Sequence, residues 1–282
     1  GEAANMMGLT QSMLAAAERI FELLDAEEME EETGKPALPE VHGDVTFKHV
    51  SFGYTPEVQL MKDLNIDVKA GETVAIVGPT GAGKTTVINL LMRFYDITGG
   101  SIEIDGHNIQ DYTKESLRSK VGMVLQDTWL FKGTIRENIR YSRQDATDEE
   151  VVAAAKQAFA DDFIRKLPKG YDTVITEESD NISQGQKQLL TIARAILASP
   201  SVFILDEATS NVDTRTEVEI QKAMDHIMTN KTSFVIAHRL STIRNANKIL
   251  VMQKGNVIEQ GSHDELIAQN GFYAGLYRAQ FE

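Results

Sequence analysis

The chain has no cysteine, a single tryptophan and only six prolines. The missing thiols exclude disulfide scaffolds, thiolate nucleophiles and cysteine-based zinc sites. Positive charge is also scarce: 28 Lys and Arg face 42 Asp and Glu, a formal net charge of −14. Surfaces that track nucleic-acid phosphates need clustered cations, so no nucleic-acid partner is expected. No apolar run approaches the roughly 18–20 residues of a membrane span. The opening Gly1-Glu2-Ala3-Ala4 is neither a signal peptide nor an initiator Met. It reads as a processed or cut chain, so any membrane role is expected to come from a partner or from an upstream segment.

What is present suits a folded protein. The 282 residues are 42% hydrophobic and 25% charged, enough apolar material for a sizeable core. At roughly 150 residues per domain the length allows about two units, or one large α/β domain.

From Leu9 to about Glu32 apolar residues recur at three- and four-residue steps (Leu9, Met13, Ala16, Ile20, Leu23, Leu24), which predicts a helix. An acidic run follows, Glu27 to Glu32, and then a linker with Gly34, Pro36 and Pro39. The helix has no core within its own segment. Beyond the linker the texture changes. Val45 to Phe52 alternates like a strand, and Thr73 to Val77 reads as a short buried strand. A glycine-rich loop and a helical run, Thr85 to Phe94, come next. Strands are expected at Ser101–Ile104, Val121–Leu125, Ser201–Leu205 and Thr232–Ala237, and helices over Asp148–Leu167 and Ser183–Leu197. Ile249–Met252 and Asn256–Glu259 predict a hairpin around Lys254-Gly255. Alternating strands and helices imply parallel βαβ units, with a mixed β layer formed by the opening strands.

Three constellations carry chemistry. Gly78-Pro79-Thr80-Gly81-Ala82-Gly83-Lys84-Thr85 fits G-x-x-x-x-G-K-[ST] without a mismatch, and Thr86 follows it. Such a loop turns consecutive N–H groups onto phosphate oxygens, and the next helix adds its positive end. Lys84 would reach β- and γ-phosphates, and the Thr85 hydroxyl would ligate Mg²⁺. Second, Val202-Phe203-Ile204-Leu205 ends in Asp206-Glu207. A strand buried on both faces reads as such a run, and ligands of open α/β sheets collect at its carboxyl end. Asp206 is therefore placed to hold Mg²⁺ through water, and Glu207 to polarise an attacking water. Third, Ser183 and Gly185, within Ile182-Ser183-Gln184-Gly185-Gln186, open a helix where a cap and free donors would form a second anion site.

Together these residues resemble the nucleotide-binding domain of ATP-binding cassette (ABC) transporters, over about residues 44–282. Ile182 to Gln186 stands where the family's signature L-S-G-G-Q would be, with Ile for Leu and Gln184 for the first Gly. Further roles follow from the resemblance alone. Tyr54 matches the aromatic that stacks on adenine, Gln126 the glutamine that touches Mg²⁺ beside the membrane domain, and Asp213 the acid of the loop crossing to the opposite subunit. His238 matches the histidine at the γ-phosphate. The stretch from Leu117 to Ile139 is similar to exporters of the multidrug and lipid-flippase type, while Thr173 to Glu177 matches the family's T-x-V-G-E loosely.

The resemblance implies a P-loop NTPase core with a mixed or parallel sheet, an antiparallel β subdomain and a helical subdomain at about 127–200. Residues 1–40 would be a tail helix and linker after an absent transmembrane domain, and 41–282 the nucleotide-binding domain. One phosphate loop and one signature imply two domains facing head to tail, as a homodimer or a heterodimer. ATP would lie between Lys84 and Thr85 of one and Ser183 and Gly185 of the other. A soluble ABC ATPase acting on DNA or ribosomes is the alternative. About a hundred residues separate Lys84 from Ser183 with no sustained heptads, which speaks against chromosome-type members.

Overall fold

The computed structural model describes residues 1–26, 32–125, 127–176, 182–206, 213–237 and 239–281, without the side chains of Thr214, Ser241, Gln280 and Phe281. Two compact units are present, Gly1–Gly34 and Lys35–Glu282. The described residues of the first hold one helix, α1 (Glu2–Leu24), with no buried residue. Met6, Leu9, Met13, Ile20 and Leu23 are all exposed along it. Among the described residues no helix is long and apolar enough to cross a membrane.

The second unit runs β1 (Val45–Phe52), β2 (Met61–Val68), β3 (Thr73–Val77), α2 (Lys84–Leu91), β4 (Gly99–Ile104), β5 (His107–Asn108), α3 (Lys114–Ser119) and β6 (Val121–Val124). It continues with β7 (Gly133–Thr134), α4 (Ile135–Arg140), α5 (Asp148–Gln157), α6 (Asp161–Lys166), β8 (Val174–Ile175), α7 (Gln184–Ala198), β9 (Val202–Asp206) and α8 (Thr214–Met228). The last elements are β10 (Thr232–Ile236), α9 (Leu240–Asn245), β11 (Lys248–Gln253), β12 (Asn256–Gly261), α10 (His263–Gln269) and α11 (Phe272–Phe281).

Six strands form one sheet in the order β12-β11-β3-β10-β9-β6. All neighbours are parallel except β12, which returns antiparallel along β11. An antiparallel sheet, β2-β1-β4-β5, accompanies it. The α/β architecture with a mixed sheet is thus present. Both faces of the larger sheet are covered, which explains its unbroken apolar strands. Along β3, Ala75 and Val77 join one hydrophobic cluster while Val74 and Ile76 join another. β9 does the same, with Phe203 and Leu205 against Val202 and Ile204. One cluster takes in β1, β2, β4 and α2, and the other takes in α4 to α8.

Several boundaries differ from expectation. Asp148–Leu167 is two helices, because Phe159 adopts φ 56° between α5 and α6. That conformation interrupts an α-helix even where alanines favour one. The helix after the glycine-rich loop ends at Leu91, three residues early, where Arg93 takes φ 50°. Strand β2 and helices α3, α4, α8, α9, α10 and α11 escaped the periodicity reading, since most are short and depend on tertiary packing.

Candidate functional site

Strands β3, β10 and β9 lie side by side in register. Ile76 pairs with Ile236, and Ile236 with Asp206. Their carboxyl ends therefore share one level, and each leads into a predicted site segment. β3 leads into Gly78, β9 ends at Asp206, and β10 leads through Ala237. Glu207 and His238 come next in sequence, and like Gln126 they lie outside the described residues.

The glycine-rich loop is held in shape from beneath. Gly78 has φ 151°, and a Cβ there would stand 2.3 Å from the Met252 carbonyl oxygen, so no side chain fits. The Ala82 amide donates to the Pro79 carbonyl at 3.1 Å, closing the turn. Gly83 caps α2 with no side-chain hydrogen bond, so the cap residue itself does not compete for the helix's first N–H groups. The Lys84 ammonium donates to the carbonyls of Gly78 at 2.7 Å and Pro79 at 3.1 Å, folding back across the loop. Burial lowers its pKa, and the negative charge of Asp206 opposes that shift.

Tyr54, Thr80, Gly81, Ala82, Gly83, Lys84, Thr85, Thr86 and Asp206 line one cavity of about 400 Å³, together with Leu60 and Ile236. That size is ordinary for a small-molecule site. Tyr54 stands half-exposed at its margin, its hydroxyl 2.9 Å from that of Thr86. Tyr95 meets it edge-on at 5.0 Å between ring centroids, as does Phe52. An aromatic face beside a phosphate-type loop suits a nucleotide: base on the ring, phosphates on the amides.

The residues also fit a magnesium ion. Among the described residues no three His, Asp or Glu side chains form a metal-holding group. Mg²⁺ commonly takes only one or two protein ligands and completes its shell with phosphate oxygens and water. The Thr85 hydroxyl and Asp206, on the wall of one cavity, supply that kind of donor set.

The signature residues lie elsewhere. Ser183 caps α7 in a reciprocal box: its hydroxyl accepts from the Gln186 amide at 3.3 Å, and the Gln186 side chain accepts from the Ser183 amide at 3.0 Å. Gly185 is buried within the first turn. Asp213 caps α8, accepting from the amides of Arg215 at 3.1 Å and Thr216 at 3.0 Å. Those bonds, the Thr216 amide's first, hold its carboxyl below the usual range. None of Ser183, Gly185, Gln186 or Asp213 lines the cavity of Lys84.

Sequence reading missed the floor and wall of the site: Leu60, Ile236, Met252 and Gly255. The predicted hairpin around Lys254-Gly255 was the available signal, but nothing in its sequence says that it packs under the loop.

The sequence pattern of the ABC transporter family matches residues 61–210. An uncharacterized ABC transporter ATP-binding protein of Bacillus subtilis is 56% identical over 280 residues, 99% of this chain and 46% of its own length. A fatty acid ABC transporter ATP-binding/permease protein of Mycobacterium bovis is 54% identical over 98% of this chain and 44% of its own. An ATP-dependent lipid A-core flippase of Acinetobacter baylyi is 49% identical over 96% of this chain and 47% of its own. A solved bacterial Atm1-family ABC exporter with ATP bound superposes with a TM-score of 0.84 and 44% identity, over 97% of this chain and 48% of that one. The chain thus spans about half the length of the relatives it matches. With this likeness joined to a phosphate-type loop, a flanking tyrosine and an acid at the end of β9, the chain belongs to the ABC transporter family, as an exporter-type ATP-binding domain, the part of such proteins that hydrolyses ATP.

Proposed function

We propose that this chain is the ATP-hydrolysing motor of an ABC exporter, and that two such domains close head to tail around ATP. The observation that carries the reading is one cavity lined at once by the phosphate loop, Lys84, Thr85, Asp206 and Tyr54. Tyr54 would stack on adenine, while Gly78 to Gly83 and Thr86 would hold the phosphates. Lys84 would exchange its two carbonyl partners for β- and γ-phosphate oxygens, a stronger charge-assisted contact. Thr85, Asp206 and Gln126 would hold Mg²⁺, which when bound neutralises charge developing on the phosphoryl oxygens. Glu207 would polarise the attacking water and His238 would contact the γ-phosphate.

Ser183, Gly185 and Gln186 lie off this cavity, with Asp213, which supports their use by a second domain's nucleotide. A net charge of −14 on each chain would oppose contact in the absence of bound nucleotide, making closure ATP-dependent. The partner domain would be a second copy or a related chain. A transmembrane domain would carry the cargo, with this domain at the cytoplasmic face. Relatives named for fatty acid and lipid A-core transport support an amphipathic or lipophilic cargo. Magnesium-dependent ATP turnover by the purified chain, lost in Lys84→Ala, tests the reading. Absence of any turnover above a heat-denatured control would overturn it.

A further inference from the structure

Gln184 occupies the position where the family's signature has glycine, and its side chain makes a specific contact. Its amide donates to the Thr128 hydroxyl at 2.9 Å, across 56 residues of sequence. One turn further along α7, the Gln188 amide donates to the Leu125 carbonyl at 3.5 Å. The same helix contributes Arg194, which donates to the Trp129 carbonyl at 3.1 Å. Leu125 and Thr128 flank Gln126 and Asp127 in the chain. Residues four apart share one helix face, so α7 presents two amides, 184 and 188, to anchors on either side of position 126. A glycine at 184 has no side chain to make the first of these bonds.

We propose that Gln184 is a positioning residue that ties the signature turn to the segment carrying Gln126. The inference rests on the head-to-tail reading above. There, Ser183 and Gly185 address a partner's nucleotide while Gln126 serves the chain's own. The Gln184–Thr128 bond then joins the two sites of a dimer within one subunit. A shift of the signature turn on meeting one nucleotide pulls on the residues beside the other. Gln184 is exposed and Thr128 only partly buried, which sets the effect at the low end for a neutral hydrogen bond.

The test uses Q184A, T128V, T128S and the Q184A/T128V double variant. Two readouts are taken: amide hydrogen exchange of a peptide spanning 121–131, and steady-state ATP hydrolysis. Q184A and T128V should each speed exchange and lower kcat by about threefold, with KM for ATP changing less than about 1.5-fold. T128S keeps the hydroxyl and should behave as wild type. The double variant should be no worse than either single, because one bond is lost in all three. Unchanged exchange and kcat in T128V, or multiplied effects in the double variant, would overturn the inference. The two readings fail differently. A wild-type chain without ATP turnover defeats the function, whereas an active chain indifferent to T128V defeats only this inference.

Discussion

The backbone N–H of Gly255 donates to the carbonyl oxygen of Ala82 at 2.8 Å, fastening the turn of the β11–β12 hairpin to the phosphate loop. Gly255 has φ 79°, and a Cβ there would stand 2.1 Å from the backbone oxygen of Leu60. Gly255→Ala should therefore cost about 1–3 kcal/mol from backbone strain alone, with the clash added. Leu60 also lines the cavity, so ATP affinity should fall with stability. Thermal unfolding and nucleotide titration of this variant check both. Retention of wild-type values would mean that the hairpin does not support the loop.

Lys84 lines the cavity, and its ammonium reaches back over the loop to Gly78 and Pro79. Lys84→Ala should weaken ATP binding by about 10- to 100-fold, the range for hydrogen bonds to charged groups. Calorimetric titration reads this directly. An unchanged isotherm would remove the loop from nucleotide binding.

Tyr54 offers a ring and a hydroxyl that act separately. Tyr54→Ala removes a stacking face worth about 1–3 kcal/mol per base and should raise KM with little change in kcat, since that contact is equal in ground and transition states. Tyr54→Phe loses only the hydroxyl facing Thr86 and should stay close to wild type. A fall in kcat without a rise in KM for Tyr54→Ala would contradict base stacking.

Acid should unfold the second unit partly through three helix caps. Glu137, Glu150 and Glu265 each accept their cap residue's backbone N–H, from Thr134, Thr147 and Ser262, and that bond is the main cause of a lowered pKa. The folded value lies below the unfolded one. The stabilisation is thus complete above the unfolded carboxylate range and is lost as pH falls through the folded value. The triple Gln variant keeps an acceptor oxygen without the charge. Its melting temperature should vary less than wild type between about pH 5 and 3. Parallel pH profiles would show that these caps do not contribute.

What the sequence revealed follows from local chemistry. The phosphate loop needs a fixed run of glycines before Lys84, and the two-faced burial of β3, β9 and β10 writes itself as uninterrupted apolar residues. Ser183 was legible as a cap because capping is decided within four residues. Helices α3, α4 and α9 were not, as each has only six residues and is held by what lies across the fold. The same holds for the site. Lys84 and Asp206 announce themselves, while Leu60 and Gly255 matter only through contacts distant in sequence. Asp213 shows the reverse case: a residue singled out for a crossing loop also has a local task, capping α8.

The central claim is closure of two domains around ATP, and Glu207→Gln probes it most directly. This variant should bind ATP, lose most turnover and so trap the closed pair. Light scattering of Glu207→Gln with Mg²⁺-ATP should give twice the mass seen without nucleotide, and wild type should return to the lower mass as ATP is consumed. A monomeric mass for Glu207→Gln at saturating ATP would contradict the account.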